Sequence, residues 1–184
     1  VRGDYLEECW NSRRRWPRRQ DVPESGFWSS CDAARLWMQY GPAFLHAVSY
    51  AWLSPDHPDP SLYHCKRLAR IVKERRKTLL ASIAIFKTRG AVLEEVVETL
   101  TDIGIFLDFM SCPQRDRIKN IPRTKEENSI FRAGLANIDL IYGHECTTVL
   151  RCSGAPPEEL RKYDDRGWPL FEKSVTDTKA SAPL

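Results

Sequence analysis

The stretch Phe44-Leu45-His46-Ala47-Val48-Ser49-Tyr50-Ala51-Trp52-Leu53 decides how this chain folds. It is a nearly continuous apolar run of strand length, which is typical of a parallel strand buried on both faces. It stops at Ser54-Pro55-Asp56-His57-Pro58-Asp59-Pro60, where three prolines would break a strand ladder or a helix interior. We therefore expect a buried strand that ends in a rigid loop.

Helical and strand patterns alternate after this loop. Amphipathic helices are predicted from Ser61 to about Thr78, over 91–101, from a Thr124 cap to about Tyr142, and from Gly167 to about Thr178. Buried strands are predicted over 103–110 and 146–150, while 79–86 is compatible with strand or helix. The alternation predicts an α/β fold, a flavodoxin-like parallel sheet with helices on both faces and right-handed crossovers.

Residues 1–40 differ from the rest of the chain. They hold four of the six tryptophans and the basic run Arg13–Arg19. Apart from a short helix over 30–40, we expect an irregular, basic, Trp-rich arm before an α/β domain over 41–184. Two interpretations stay open: an arm that binds nucleic acid, an anionic surface or a partner protein, or a solvated arm whose tryptophans pack on the domain.

Composition narrows the classes of protein to which the chain can belong. A net charge of +3 over 184 residues does not by itself argue for nucleic acid. No apolar run approaches the roughly 20 residues of a membrane helix, and the first residues lack the apolar segment of a signal peptide. The six cysteines include no CxxC pair. We expect reduced thiols in an intracellular compartment, most simply the cytoplasm, rather than a disulfide framework or a zinc site.

Three motifs stand at predicted strand ends or helix starts. They are Ala47-Val48-Ser49-Tyr50, Gly104-Ile105-Phe106-Leu107-Asp108, and Trp168-Pro169-Leu170-Phe171-Glu172. In this order they resemble the Toll/interleukin-1 receptor (TIR) class and its heterokaryon-incompatibility relatives of protist type, over residues 44–178. The basic-acidic-Pro-Gly loop of receptor TIR domains is missing after Asp108. A complete TIR sheet would also need strands beyond the Glu172 helix, so the sheet is either truncated or extended by residues 79–86.

The resemblance implies an activity. Catalytic TIR domains cleave the nicotinamide–ribose bond of NAD through a sugar cation, which a carboxylate can stabilise. By resemblance Glu172 is the catalytic carboxylate, no bound cofactor or metal is needed, and the groups that contact NAD(P) are Ser49, Trp52, Asp108, Phe109 and Trp168. The competing interpretation makes Glu172 an exposed first-turn glutamate favoured by the helix dipole.

The alternative function comes from a different class of protein. A non-catalytic interaction module would dock into a larger assembly through residues 1–40 and would need no NAD site. With either function we expect self-association or membership of a larger protein assembly. The position of Glu172, in a cleft or in bulk solvent, distinguishes the two.

Overall fold

The computed structural model describes residues 1–88 and 102–179, so the helix predicted over 91–101 lies outside the described residues. The helices of the described part are α1 (Gly3–Asn11), α2 (Ser30–Tyr40), α3 (Tyr63–Thr88), α4 (Asp108–Ser111), α5 (Lys125–Ala136), α6 (Ile138–Gly143) and α7 (Gly167–Asp177). The strands are β1 (Leu45–Tyr50), β2 (Gly104–Phe106) and β3 (Thr148–Cys152). Short 3-10 turns cover Arg19–Asp21, Glu24–Gly26, Gly41–Ala43 and Tyr163–Asp165.

The apolar run forms β1, the central strand of a parallel sheet with the order β2-β1-β3. Leu45 is in register with Gly104 of β2, and His46 with Thr148 of β3. The predicted parallel α/β sheet is thereby confirmed. β2 is shorter than predicted, because Asp108 begins a single helical turn and accepts a hydrogen bond of 2.7 Å from the backbone N–H of Phe109.

Helices cover both faces of β1, as predicted. Since successive side chains of a strand point to opposite faces, Val48 and Tyr50 join the larger core with residues of α1 and α3. Ala47 instead packs in a second cluster with Ile138 and Tyr142 of α6. The Tyr142 hydroxyl also donates a hydrogen bond of 2.8 Å to the Val48 carbonyl.

Residues 79–86, left open by the sequence, are helical. α3 continues through them to Thr88. The buried residues Leu68, Val72, Leu79 and Ile83 continue one apolar stripe at helical spacing, which explains why the helix does not end at Thr78. This segment therefore adds no strand to the sheet.

The helix predicted over 124–142 starts where expected, but it is two helices instead of one. Thr124 and Glu127 form the expected capping box. The helix breaks at Asn137, where α5 gives way to α6. The third strand begins at Thr148 rather than Cys146.

Residues 1–40 are not an irregular arm. α1 and α2 account for half of them, and α2 has the predicted bounds with Ser29 as its cap. Trp16 is only 2% exposed and lies edge-on to Tyr50, with ring centroids 5.6 Å apart. Five further buried side chains of the segment belong to the same core as β1: Tyr5, Leu6, Cys9, Val22 and Leu36. The segment is thus part of the fold.

The remaining tryptophans and most of the basic run also contact this chain itself. The Trp28 indole donates to the Ile103 carbonyl (3.2 Å) and the Trp37 indole to the Cys146 carbonyl (2.7 Å). Arg14 and Arg18 form ion pairs with Glu8 and Asp21. Binding of an acidic partner through Arg13–Arg19 stays a prediction.

The six cysteines are free thiols, and four of them are buried. Burial raises the pKa of Cys65 to about 12 and that of Cys112 to about 11. These thiols act as small apolar side chains. The compartment inferred from them stays a prediction. None of the helices over the described residues is both long and apolar enough to cross a membrane.

We expect Trp16→Ala to lower the free energy of unfolding by about 3–5 kcal/mol, because it removes a buried aromatic side chain from the core. Urea denaturation followed by circular dichroism measures this. Met38→Ala, at a side chain that is 87% exposed, should cost less than about 0.5 kcal/mol. A loss under about 1 kcal/mol for Trp16→Ala would mean that this segment is not part of the core.

Candidate functional site

A cavity of about 440 Å³ lies at the carboxyl edge of the sheet. Its wall contains residues at or beyond the carboxyl end of each strand: Tyr50 and Trp52 for β1, Asp108 for β2 and Trp168 for β3. Ligands of open α/β sheets bind at this edge. The volume falls within the range of about 300–1,000 Å³ that is typical of small-molecule sites.

Three of the predicted site residues meet in this wall, and three do not. Trp52, Asp108 and Trp168 line the cavity. Phe109 is buried behind Trp52, edge-on to its indole at a centroid distance of 5.6 Å. Ser49 and Glu172 are buried and are not among the lining residues.

Asp108 is the carboxyl group that borders the cavity. The Tyr50 hydroxyl donates a hydrogen bond to its Oδ1, and the backbone N–H of Phe109 donates to the same oxygen at 2.7 Å. Burial raises the pKa of Asp108 above its ordinary value, although the Tyr50 hydrogen bond acts in the opposite direction. The group is therefore held in one orientation at the carboxyl end of β2.

Glu172 is neither an exposed first-turn residue nor part of the cavity wall. It lies in the second turn of α7 and is 2% exposed. The Ser49 hydroxyl donates to its Oε2 and also shares a hydrogen bond with the Tyr163 hydroxyl. Trp168, which lines the cavity, precedes Glu172 by four residues and therefore shares its face of α7. Glu172 thus belongs to a buried hydroxyl cluster next to the cavity.

Burial also changes the ionisation of Glu172. It raises the pKa to about 7 from an ordinary value of 4.5, although the Ser49 hydrogen bond opposes this rise. Buried carboxyl groups with raised pKa values are frequent in active sites, because their protonation changes near neutral pH. Burial likewise raises the pKa of the neighbouring Tyr163.

Four arginines that the motifs did not single out line the same cavity: Arg117, Arg123, Arg161 and Arg166. The Arg166 guanidinium donates to the Trp52 carbonyl at 2.5 Å and pairs with Glu159 at 2.9 Å. The Arg123 guanidinium lies over the Phe131 ring at 3.5 Å. The arginines come from loops after β2 and β3 that are distant in sequence, so no local spacing joins them. The sequence feature that could have pointed to these arginines is that both loops are rich in charged residues.

These groups together can hold an anion that carries a planar ring. Guanidinium groups bind phosphate oxygens in pairs, and indole faces stack on flat rings. Asp108 supplies one carboxyl group in the wall. Within the described ranges, no cluster of three or more His, Cys, Asp or Glu side chains could bind a metal ion.

Comparison of the chain with protein-family models, with curated proteins and with solved structures gives no match. The resemblance to TIR domains rests on the three sequence motifs alone and stays a prediction.

The raised pKa of Glu172 predicts a pH dependence of stability. An acid whose pKa is raised on folding stabilises the protein fully below its unfolded pKa, and the contribution is lost as pH rises through the folded pKa. For Glu172 this window extends from about pH 4.5 to about pH 7. At about 1.4 kcal/mol per pKa unit, the loss is on the order of 3 kcal/mol.

We expect Glu172→Gln, which resembles the protonated acid, to reduce this loss between pH 5 and pH 8. Urea denaturation at both pH values measures the difference. Exposed Glu126→Gln is the control and should retain the wild-type difference. An unchanged difference in Glu172→Gln would show that the ionisation of Glu172 does not affect stability in this range.

Proposed function

We propose that this chain binds a nucleotide of the NAD(P) type in the cavity and cleaves its nicotinamide–ribose bond. The observation that supports the proposal is the meeting of four guanidinium groups, two indoles and one carboxyl group in a single wall. Phosphates match the guanidinium groups, a nicotinamide or adenine ring matches the indoles, and the carboxyl group matches a sugar that becomes cationic.

The reaction requires little covalent chemistry from the protein. The bond between C1′ and the nicotinamide nitrogen breaks, and nicotinamide leaves with the electron pair. Water then attacks the oxocarbenium ion at C1′ and loses a proton to a carboxylate or to solvent. The task of the protein is to position the sugar and to stabilise its positive charge.

Two carboxyl groups can stabilise the sugar cation, one in direct contact with it and one from beneath the cavity wall. Asp108 borders the cavity, so it is the candidate for direct contact with the ribose. Glu172 lies beneath, among Ser49 and Tyr163, and acts as a positioning residue whose negative charge adds to the field at the sugar. Because burial raises the pKa of Glu172 to about 7, that charge is complete only above neutral pH.

An interaction module remains the second candidate, supported by a different observation. α7 exposes Trp168, Leu170 and Phe171 by 40%, 48% and 41%, with the Trp168 and Phe171 rings 5.4 Å apart, and contiguous exposed apolar surface is typical of binding sites. Docking through residues 1–40 has less support, since the tryptophans of that segment contact the chain itself. Replacement of Leu170 by serine, which keeps the Trp168–Phe171 ring contact, should abolish association without affecting nicotinamide release.

We expect Asp108→Asn to lower the rate of nicotinamide release from NAD on the order of 100-fold, because it removes the carboxylate nearest the sugar cation. The assay is chromatographic detection of nicotinamide at high protein concentration. Glu172→Gln should lower the rate above pH 7 and remove the increase in rate that the wild type shows as pH rises through about 7.

Glu126→Gln, at an exposed position of α5, is the matched control and should retain the wild-type rate and pH profile. Thermal melting of each variant verifies that the fold is intact. If wild-type protein releases no nicotinamide from NAD or NADP at any concentration, the proposed enzyme activity is wrong and the interaction module is favoured.

A further inference from the structure

A second cavity adjoins the first. Its volume is about 400 Å³, and its wall includes Trp52, Arg117, Arg161 and Arg166. The same four residues also line the first cavity. The two cavities are therefore neighbouring chambers that share one wall of three guanidinium groups and an indole.

The far side of the second chamber comes from the Pro-rich loop after β1 and from Glu159. The loop contributes Leu53, Ser54 and Pro55. It is held by hydrogen bonds of 2.9 Å from Leu53 N–H to the Pro58 carbonyl and from the Ser54 hydroxyl to the His57 carbonyl. These bonds fix the shape of the loop, and Leu53 and Pro55 give the chamber apolar surface.

The shared wall is positive. Arg166 pairs with Glu159 at 2.9 Å. Over residues 1–88 and 102–179, Arg117 and Arg161 form no ion pair within 4.0 Å. The Arg161 guanidinium donates to the Asp165 carbonyl at 3.3 Å, and the Arg117 guanidinium lies over the Trp52 ring at 5.7 Å. Two guanidinium groups without a carboxylate partner therefore line both chambers and could bind an anion that bridges them.

We propose that the ligand is a dinucleotide that occupies both chambers, with its pyrophosphate on the shared arginines. The nicotinamide–ribose half lies in the first chamber beside Asp108, and the adenosine half lies in the second beside Glu159. This proposal rests on the proposed function, and it specifies which whole molecule the site accepts.

Glu159 adds a preference between two such molecules. Its Oε1 accepts a hydrogen bond of 3.0 Å from the Arg161 backbone N–H, which fixes the carboxylate in the second chamber. A carboxylate at the adenosine ribose accepts hydrogen bonds from the 2′-hydroxyl of NAD, whereas it repels the 2′-phosphate of NADP. Arg166 neutralises part of this charge, and we expect the remainder to give a preference for NAD over NADP.

The two-chamber arrangement is tested by competition between the halves of the ligand. Nicotinamide mononucleotide, AMP, NAD and inorganic pyrophosphate are titrated into Asp108→Asn protein, which retains the arginines, and binding is followed by ligand-observed NMR. We expect saturating AMP to leave nicotinamide mononucleotide bound and NAD to displace both. Displacement of one mononucleotide by the other would overturn the proposal. So would displacement of NAD by equimolar pyrophosphate, which would indicate an anion site only.

The selectivity is tested by Glu159→Gln, with Glu158→Gln in the same loop as the matched control. Calorimetry should show that the wild type binds NAD at least about 10-fold more tightly than NADP, since like charges oppose the 2′-phosphate. Glu159→Gln should reduce this ratio to within about 2-fold, whereas exposed Glu158→Gln should keep it. An unchanged ratio in Glu159→Gln, with a wild-type melting temperature, would overturn the assignment of the second chamber.

Failure of this inference and failure of the proposed function give different results. If the protein releases nicotinamide but the two mononucleotides compete for one site, the two-chamber proposal is wrong and the proposed enzyme activity stands. If both mononucleotides bind independently but no nicotinamide is released, the proposed enzyme activity is wrong and the chain is a dinucleotide-binding protein. Absence of binding by all four compounds would overturn both.

Discussion

β1 has no face toward solvent, and the rest of the structure follows from this constraint. Ala47 and Val48, which point to opposite faces, are both fully buried. The backbone amides and carbonyls of such a strand must be hydrogen-bonded within the protein, so strands lie on both sides of β1 and helices cover both faces. Because the three strands are parallel, the loops that follow them meet at one edge. The cavity is a consequence of that meeting.

The chemistry at this edge has two layers with opposite electrostatic character. Arginines from the loops line the open layer, while Glu172, Ser49 and Tyr163 form a buried layer beneath it. Burial favours the protonated carboxyl in the lower layer, whereas the guanidinium groups above remain charged at any physiological pH. Among these arginines Arg166 is paired with Glu159, whereas Arg117 and Arg161 have no carboxylate partner within the described residues.

The first 40 residues show how composition can mislead. Their tryptophans and arginines left two interpretations open: an arm that binds an acidic partner, or a solvated arm whose tryptophans pack on the domain. In the structure α1 packs on α3, and Trp16 fills space against Tyr50. An indole contributes a large apolar area, so a segment with few aliphatic residues can still supply part of a core. Aromatic density was therefore a signal of packing as much as of binding.

The sequence by itself determined the local features: a buried strand within 44–53, the capping box at Thr124, the bounds of α2 and the parallel α/β class. These depend on periodicity, caps and turn residues, which lie within a few positions of one another. Only the tertiary structure decided that Glu172 is buried rather than exposed, and that arginines from separate loops share one wall. Burial and convergence depend on contacts between residues far apart in the chain, and no local pattern records such contacts.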